Sequence, residues 1–225
     1  MTRATIVFDL DGTLVDTARD LIDSLNHTIS AYGLAPVTYD DITFLVGQGA
    51  KVMIERAFAL RERPLPDGEM PLMLDRFIAH YTANMPGHSR SFDGVVELLD
   101  TLADAGYLLA ICTNKLEGMA RPLADRLGLS PHFQAICGGD SFAVRKPHGD
   151  HIRLTVQAAG GDPDHALMIG DSVNDILAAR NAGMPSIAVT FGYSDVPVEQ
   201  LGADVVIDSY KKLTPELVGR LLSSR

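Results

Sequence analysis

The stretch ATIVFDLDGTLVDT, residues 4–17, decides the fold. Thr5, Ile6, Val7 and Phe8 form an unbroken β-branched and apolar run, the composition of a strand covered on both faces. The run then meets Asp9, one leucine and Asp11, followed by Gly12 and Thr13. Charge at the end of a buried strand is costly unless something pairs with it. An ordinary Asp-Gly turn also places such residues at a strand end. What decides between the two is whether other chemistry-bearing residues reach the same edge.

Five further runs have strand character: Tyr107 to Cys112, Gln134 to Cys137, Ala166 to Ile169, Ser186 to Val189 and Asp204 to Ile207. Most are continuous rather than alternating, and helical patterns separate them. This predicts an α/β fold with a doubly wound, Rossmann-like parallel sheet. The alternation fails only after the first strand. Ala18, Leu21, Ile22, Leu25 and Ile29 recur at helical spacing, and Val52, Met53, Ala57 and Leu60 continue it. Pro36, Pro64, Pro66 and Pro71 divide that interval into about four helices. The expected organisation is a catalytic core of residues 1–15 and 82–225 with an inserted helical cap of residues 16–81. An insert leaving from the end of the first strand sits over the carboxyl ends of the strands, as a lid does.

The bulk properties set limits. At 225 residues and 46% hydrophobic composition, one substantial core with a smaller insert is expected. A formal charge of -10 without a basic patch argues against nucleic acid as a partner. No run approaches the roughly 20 apolar residues of a membrane span, and the chain enters its first strand within a few residues of Met1. A cytoplasmic protein is therefore expected, as a monomer or homodimer. Cys112 and Cys137 lie in apolar β-type runs and read as buried structural thiols.

Three other segments carry polar residues at strand ends. LLAICTNK places Thr113 and Asn114 where a hydroxyl and backbone N–H groups opening the next helix can hold a phosphate oxygen, although a helix cap explains them too. In VRKPHGD, Lys146 precedes Pro147, a residue suited to a helix's first turn, with His148 and His151 facing solvent there. In ALMIGDSVNDILAARNAG, Asp171 ends a strand and Asp175 follows four residues on. Acids suit a helix N-terminus, but carboxylates facing those of the first strand gather more negative charge than can coexist without a cation. Hard carboxylate oxygens favour Mg²⁺.

VFDLDGTLVD, CTNK, RKP and IGDSVNDILAARNAG, in that order, resemble the haloacid dehalogenase superfamily of phosphohydrolases across nearly the whole chain. That resemblance implies that Asp9 is a nucleophile forming an aspartyl-phosphate and Asp11 the general acid and base. It implies that Thr113 binds phosphate and that Lys146 bridges Asp9 and the phosphoryl oxygens. Asp9, Asp171 and the Asp11 carbonyl would hold Mg²⁺, with Asp175 supporting the metal from nearby. Within the superfamily, TLVDTARDLIDSLN, LVGQGAKVMIERA, GGDSFAVRKPHGD and VTFGYS are similar to the phosphoglycolate phosphatase group, which implies a small phosphorylated substrate.

Other members remain as alternatives. Dehalogenases lack the second aspartate, which Asp11 supplies here. Phosphonoacetaldehyde hydrolases use a lid lysine, a place that Lys51 can fill, but they too lack an acid at position 11. A β-phosphoglucomutase, a phosphatase of another sugar phosphate and a non-catalytic binding protein complete the set. For the cap, Gly47, Gln48 and Gly49 stand before a helical pattern, where unhindered N–H groups can meet the non-phosphate end of a substrate, assisted by Lys51 and Arg56. Asn114 is the further candidate for substrate contact. The same glycines also suit a simple turn between lid helices.

Overall fold

The computed structural model describes residues 3–223. Strand β1 (Thr5–Phe8) is followed by β2 (Val15–Asp16) and four helices: α1 (Ala18–Ser30), α2 (Ile42–Leu45), α3 (Ala50–Leu60) and α4 (Met70–Asn84). The chain returns through β3 (Arg90–Ser91) and then alternates. In order come α5 (Val95–Asp104), β4 (Leu108–Cys112), α6 (Glu117–Arg126), β5 (Ala135–Cys137) and α7 (Gly149–Ala158). They are followed by β6 (Ala166–Gly170), α8 (Val173–Ala182), β7 (Ser186–Val189), β8 (Val205–Ile207) and α9 (Pro215–Ser223).

The main sheet has the order β5-β4-β1-β6-β7-β8, and every pairing in it is parallel. This is the doubly wound sheet that the apolar runs predict. Successive strands move outward from β1 in one direction through β4 and β5, and in the other through β6 to β8. The strand order therefore reverses at β1, and the crevice above that point is where such sheets bind ligands. Phe8 lies opposite both Ile111 and Ile169, so the three central strands end level and deliver their next residues to one place.

Strand periodicity distributes the core. Ile6 and Phe8 point to one face with Leu109, Ile111, Leu167 and Ile169, where α5 and α9 contribute Leu99, Leu102 and Val218. Val7 points to the other with Ala110, Cys112 and Met168, against Ile152 and Val156 of α7 and Ala178 and Ala179 of α8. Both cysteines are buried and free, as expected of structural thiols. Small side chains on this face let the helices lie close. A Cβ added at Gly149 would stand 2.6 Å from backbone atoms of Asn181 and Ala182, so α7 and α8 meet at a glycine.

Helices α1 to α4 pack mainly on one another, α1 against α3 and α4, around Leu25, Met53, Ile54 and Phe77. They leave and rejoin the sheet through two adjacent linkers. Val15 and Asp16 pair antiparallel with Ser91 and Arg90. Helix α4 continues past Tyr81 to Asn84. Pro71 stands in its first turn rather than between helices, a position where the missing N–H costs nothing. Among the described residues, no helix is long and apolar enough to cross a membrane.

Candidate active site

Asp9 directly follows β1, and its N–H donates to the Ile169 carbonyl at 2.9 Å, which extends the ladder one residue beyond the strand. Its side chain is buried, and its two oxygens differ. Oδ1 accepts from the Leu10 N–H at 2.7 Å and lies 2.9 Å from Lys146 Nζ. Oδ2 has no hydrogen-bond partner among the described residues. Lys146 Nζ also donates to Asp175 Oδ1 at 2.6 Å.

Asp171, immediately after β6, is held on both oxygens. Thr13 Oγ1 donates to Oδ1 at 2.8 Å, and the Tyr193 N–H donates to Oδ2 at 2.7 Å. Close backbone approach makes this possible: a Cβ at Gly12 or Gly192 would fall 2.4 Å from Asp171 Oδ2. Asp175 occupies the third position of α8 and forms a capping box with Ser172, whose N–H and hydroxyl donate to Oδ2 at 2.9 and 2.7 Å. One carboxylate thus caps a helix with one oxygen and fixes a lysine with the other.

Carboxylate oxygens of Asp9, Asp171 and Asp175 all lie within 4.8 Å of one another. Burial and the neighbouring carboxylates Asp175 and Asp9 push Asp171 well above the usual carboxylate range. Burial also raises Asp9 against the lowering effect of Lys146, with Asp175 and Asp11 adding to the rise. Lys146 moves upward as well, since attraction to Asp175 and Asp9 outweighs its burial. Three buried carboxylates against one ammonium leave negative charge uncompensated. The donor set is hard oxygen, so these residues fit a small divalent cation.

Asp11 lies beside this cluster. Thr17 Oγ1 donates to its Oδ1 at 2.7 Å, and Lys115 Nζ lies 2.9 and 3.1 Å from its two oxygens. Thr113 is buried next to β4, and its hydroxyl accepts from the Lys115 N–H at 3.2 Å. Asn114 Nδ2 donates to the Lys146 carbonyl, while its buried Oδ1 has no partner among the described residues. Thr113 and Asn114 precede α6 by several residues, so they do not open that helix.

These groups line a cavity with about 420 Å³ of empty space, open solvent included. Asp9, Asp11, Thr113, Asn114 and Lys115 form its floor, and Gly47 and Gly49 approach from above. Gly49, at φ 86°, is the N-cap of α3, and a Cβ there would lie 3.1 Å from the Asn114 carbonyl. Asn174 Nδ2 donates to the Gly47 carbonyl, joining the loop to α8. Gln48 is half-buried and does not line the cavity, nor do Lys51 and Arg56.

Two local expectations are corrected. Pro147 lies ahead of the N-cap His148 rather than in the first turn of α7. His148 is exposed, but His151 is fully buried, with Nδ1 accepting from the Lys146 N–H at 3.0 Å and Nε2 facing the Gly138 carbonyl. It fixes the backbone that carries Lys146. Sequence reasoning also passed over Lys115, Thr13 and Tyr193. Lys115 stands inside the CTNK segment and Tyr193 inside VTFGYS, but their contacts to Asp11 and Asp171 exist only in the folded chain.

A family model described as haloacid dehalogenase-like hydrolase matches residues 6–189. The chain belongs to that family. Among its relatives, a phosphoglycolate phosphatase of Agrobacterium fabrum is 61% identical over 217 residues, covering 96% of this chain and 93% of that protein. One of Mesorhizobium japonicum is 50% identical, covering 99% and 98%. A solved structure from Haemophilus somnus, described as a predicted phosphoglycolate phosphatase, superimposes with a TM-score of 0.86 at 32% identity, covering 93% of this chain and 96% of that one. This haloacid dehalogenase-like hydrolase is thus an enzyme whose relatives are phosphatases.

Proposed function

We propose that this chain is a Mg²⁺-dependent phosphomonoester hydrolase that works through a phosphoaspartyl intermediate on Asp9, with 2-phosphoglycolate as substrate. The observation that carries the reading is the asymmetry of Asp9: one oxygen fixed by Leu10 and Lys146, the other free, within a cluster of three buried carboxylates.

Asp9 Oδ2 attacks phosphorus, and the bond from phosphorus to the ester oxygen breaks. Asp11 gives a proton to the departing oxygen and then takes one from the water that attacks the phosphoaspartate, which releases phosphate and regenerates Asp9. Thr113 and Lys146 bind phosphoryl oxygens, and Lys146 offsets charge that grows as the two anions approach. Asp9, Asp171 and the Asp11 carbonyl would hold Mg²⁺, with Asp175 acting from behind through Lys146. The ion, when bound, neutralises charge on the phosphoryl group.

The substrate assignment draws support from the names of the relatives and from a small cavity capped by glycine backbone. A panel of phosphate esters assayed with Mg²⁺ tests it. The expected result is that 2-phosphoglycolate ranks first in kcat/KM. Another phosphate ester ranking first by tenfold or more would overturn the substrate, and no turnover of any ester would overturn the activity. Lys51 is exposed and pairs with Glu55 at 3.9 Å, a placement that lends no support to a Schiff-base role.

A further inference from the structure

The substrate reading above leaves one group without a recogniser, the carboxylate at the far end of 2-phosphoglycolate. Two cap cations suggested by sequence turn away from the cavity. Lys51 faces Glu55 in solvent, and Arg56 donates to the Phe44 carbonyl while its guanidinium stands 5.3 Å over the Phe44 ring. Lys146 is engaged by Asp9 and Asp175. Lys115 is the ammonium that lines the cavity.

We propose that Lys115 is a specificity-determining residue that pairs with a carboxylate carried next to the scissile ester oxygen. The inference rests on the substrate reading given above. Its side chain is only 2% exposed, and its Nζ lies against both oxygens of Asp11 and 4.3 Å above the Tyr81 ring. A buried ion pair is seldom kept for stability, since well-packed apolar residues serve as well. Here both members of the pair face the cavity. In 2-phosphoglycolate a single methylene separates the ester oxygen from the carboxylate carbon. The acid that protonates that oxygen must touch it, so a cation touching the acid lies within reach of the carboxylate. Val46, Met53 and Phe77 line the same cavity and keep water from the ammonium, which raises the worth of its charge.

The test compares 2-phosphoglycolate with ethyl phosphate, which has the same chain length and no carboxylate. Wild type is expected to prefer the former. K115M loses activity on both, because Asp11 loses its partner, but the ratio of the two kcat/KM values falls tenfold or more, chiefly through KM for 2-phosphoglycolate. K115R, which keeps the charge, holds the ratio within threefold of wild type. K115Q serves if K115M does not fold, with the same fall expected. An unchanged ratio of the two kcat/KM values in K115M or K115Q overturns this inference alone: Lys115 then serves only Asp11. A wild type without preference overturns it together with the substrate reading.

Discussion

At Asp9 the two carboxylate oxygens have different partners, and that difference sets what substitution does. Asp9→Asn keeps the size and the Leu10 contact but removes the proposed nucleophile and one of three crowded charges. Turnover should drop to background while the melting temperature stays equal or rises. Asp11→Asn should cost on the order of a hundredfold or more in kcat, the usual scale for a proton-transfer residue. His151 gives a prediction with a definite sign. Burial, with Lys146 nearby, lowers it from 6.5 to about 4. Between those values the unfolded chain binds a proton that the fold refuses, so its contribution to stability is lost as pH falls from about 6.5 toward 4. Asp9 and Asp171, both raised in the metal-free protein, act in the opposite direction, since protonation favours the folded form. Urea midpoints of wild type and His151→Asn at pH 7.5 and 5 separate the two: wild type should lose more than the variant on acidification. At this scale the sequence revealed the acids, because strand ends announce them. It did not reveal Lys115 or His151, whose partners stand 104 and 5 residues away and whose burial no local pattern encodes.

The elements that carry these residues were mostly legible, and the reason is burial. Parallel strands covered on both faces must be apolar throughout, so β1, β4, β6 and β7 stand out as continuous runs. The two-residue strands β2 and β3 carry no such signal; each exists only because the other is opposite it. The first turn of α4 departs from the sequence expectation because proline breaks a helix interior yet begins a helix readily, as Pro71 does. Close packing between α7 and α8 makes a prediction of its own. Gly149→Ala would put a Cβ against the Asn181 and Ala182 backbone, which cannot rotate aside. A loss of roughly 1–3 kcal/mol is expected from such overpacking, read as a lower denaturant midpoint. Because Asn181 Nδ2 donates to the Pro147 carbonyl beside Lys146, kcat should fall with it.

Across the whole molecule, separate strand ends bring charge to one crevice, and the cap loop closes over it through Gly47 and Gly49. Chelation by EDTA should abolish activity and Mg²⁺ restore it, whereas Ca²⁺ should inhibit, since its longer and looser coordination spoils in-line alignment. Full activity in chelator would contradict this. The fold and the carboxylate cluster were readable because four short segments each carry their own signal. The substrate-facing cavity was not, because Leu21, Met53, Phe77 and Lys115 come from four different elements or loops and meet only when the chain is folded. The central claim is the covalent intermediate on Asp9, and borohydride trapping during turnover tests it most directly. Reduction of an aspartyl-phosphate yields homoserine, which peptide mass spectrometry locates. With the wild-type enzyme, 2-phosphoglycolate and Mg²⁺, homoserine is predicted at position 9 and nowhere else, and absent without substrate. Homoserine at another acid, or none while phosphate is still released, would contradict the account.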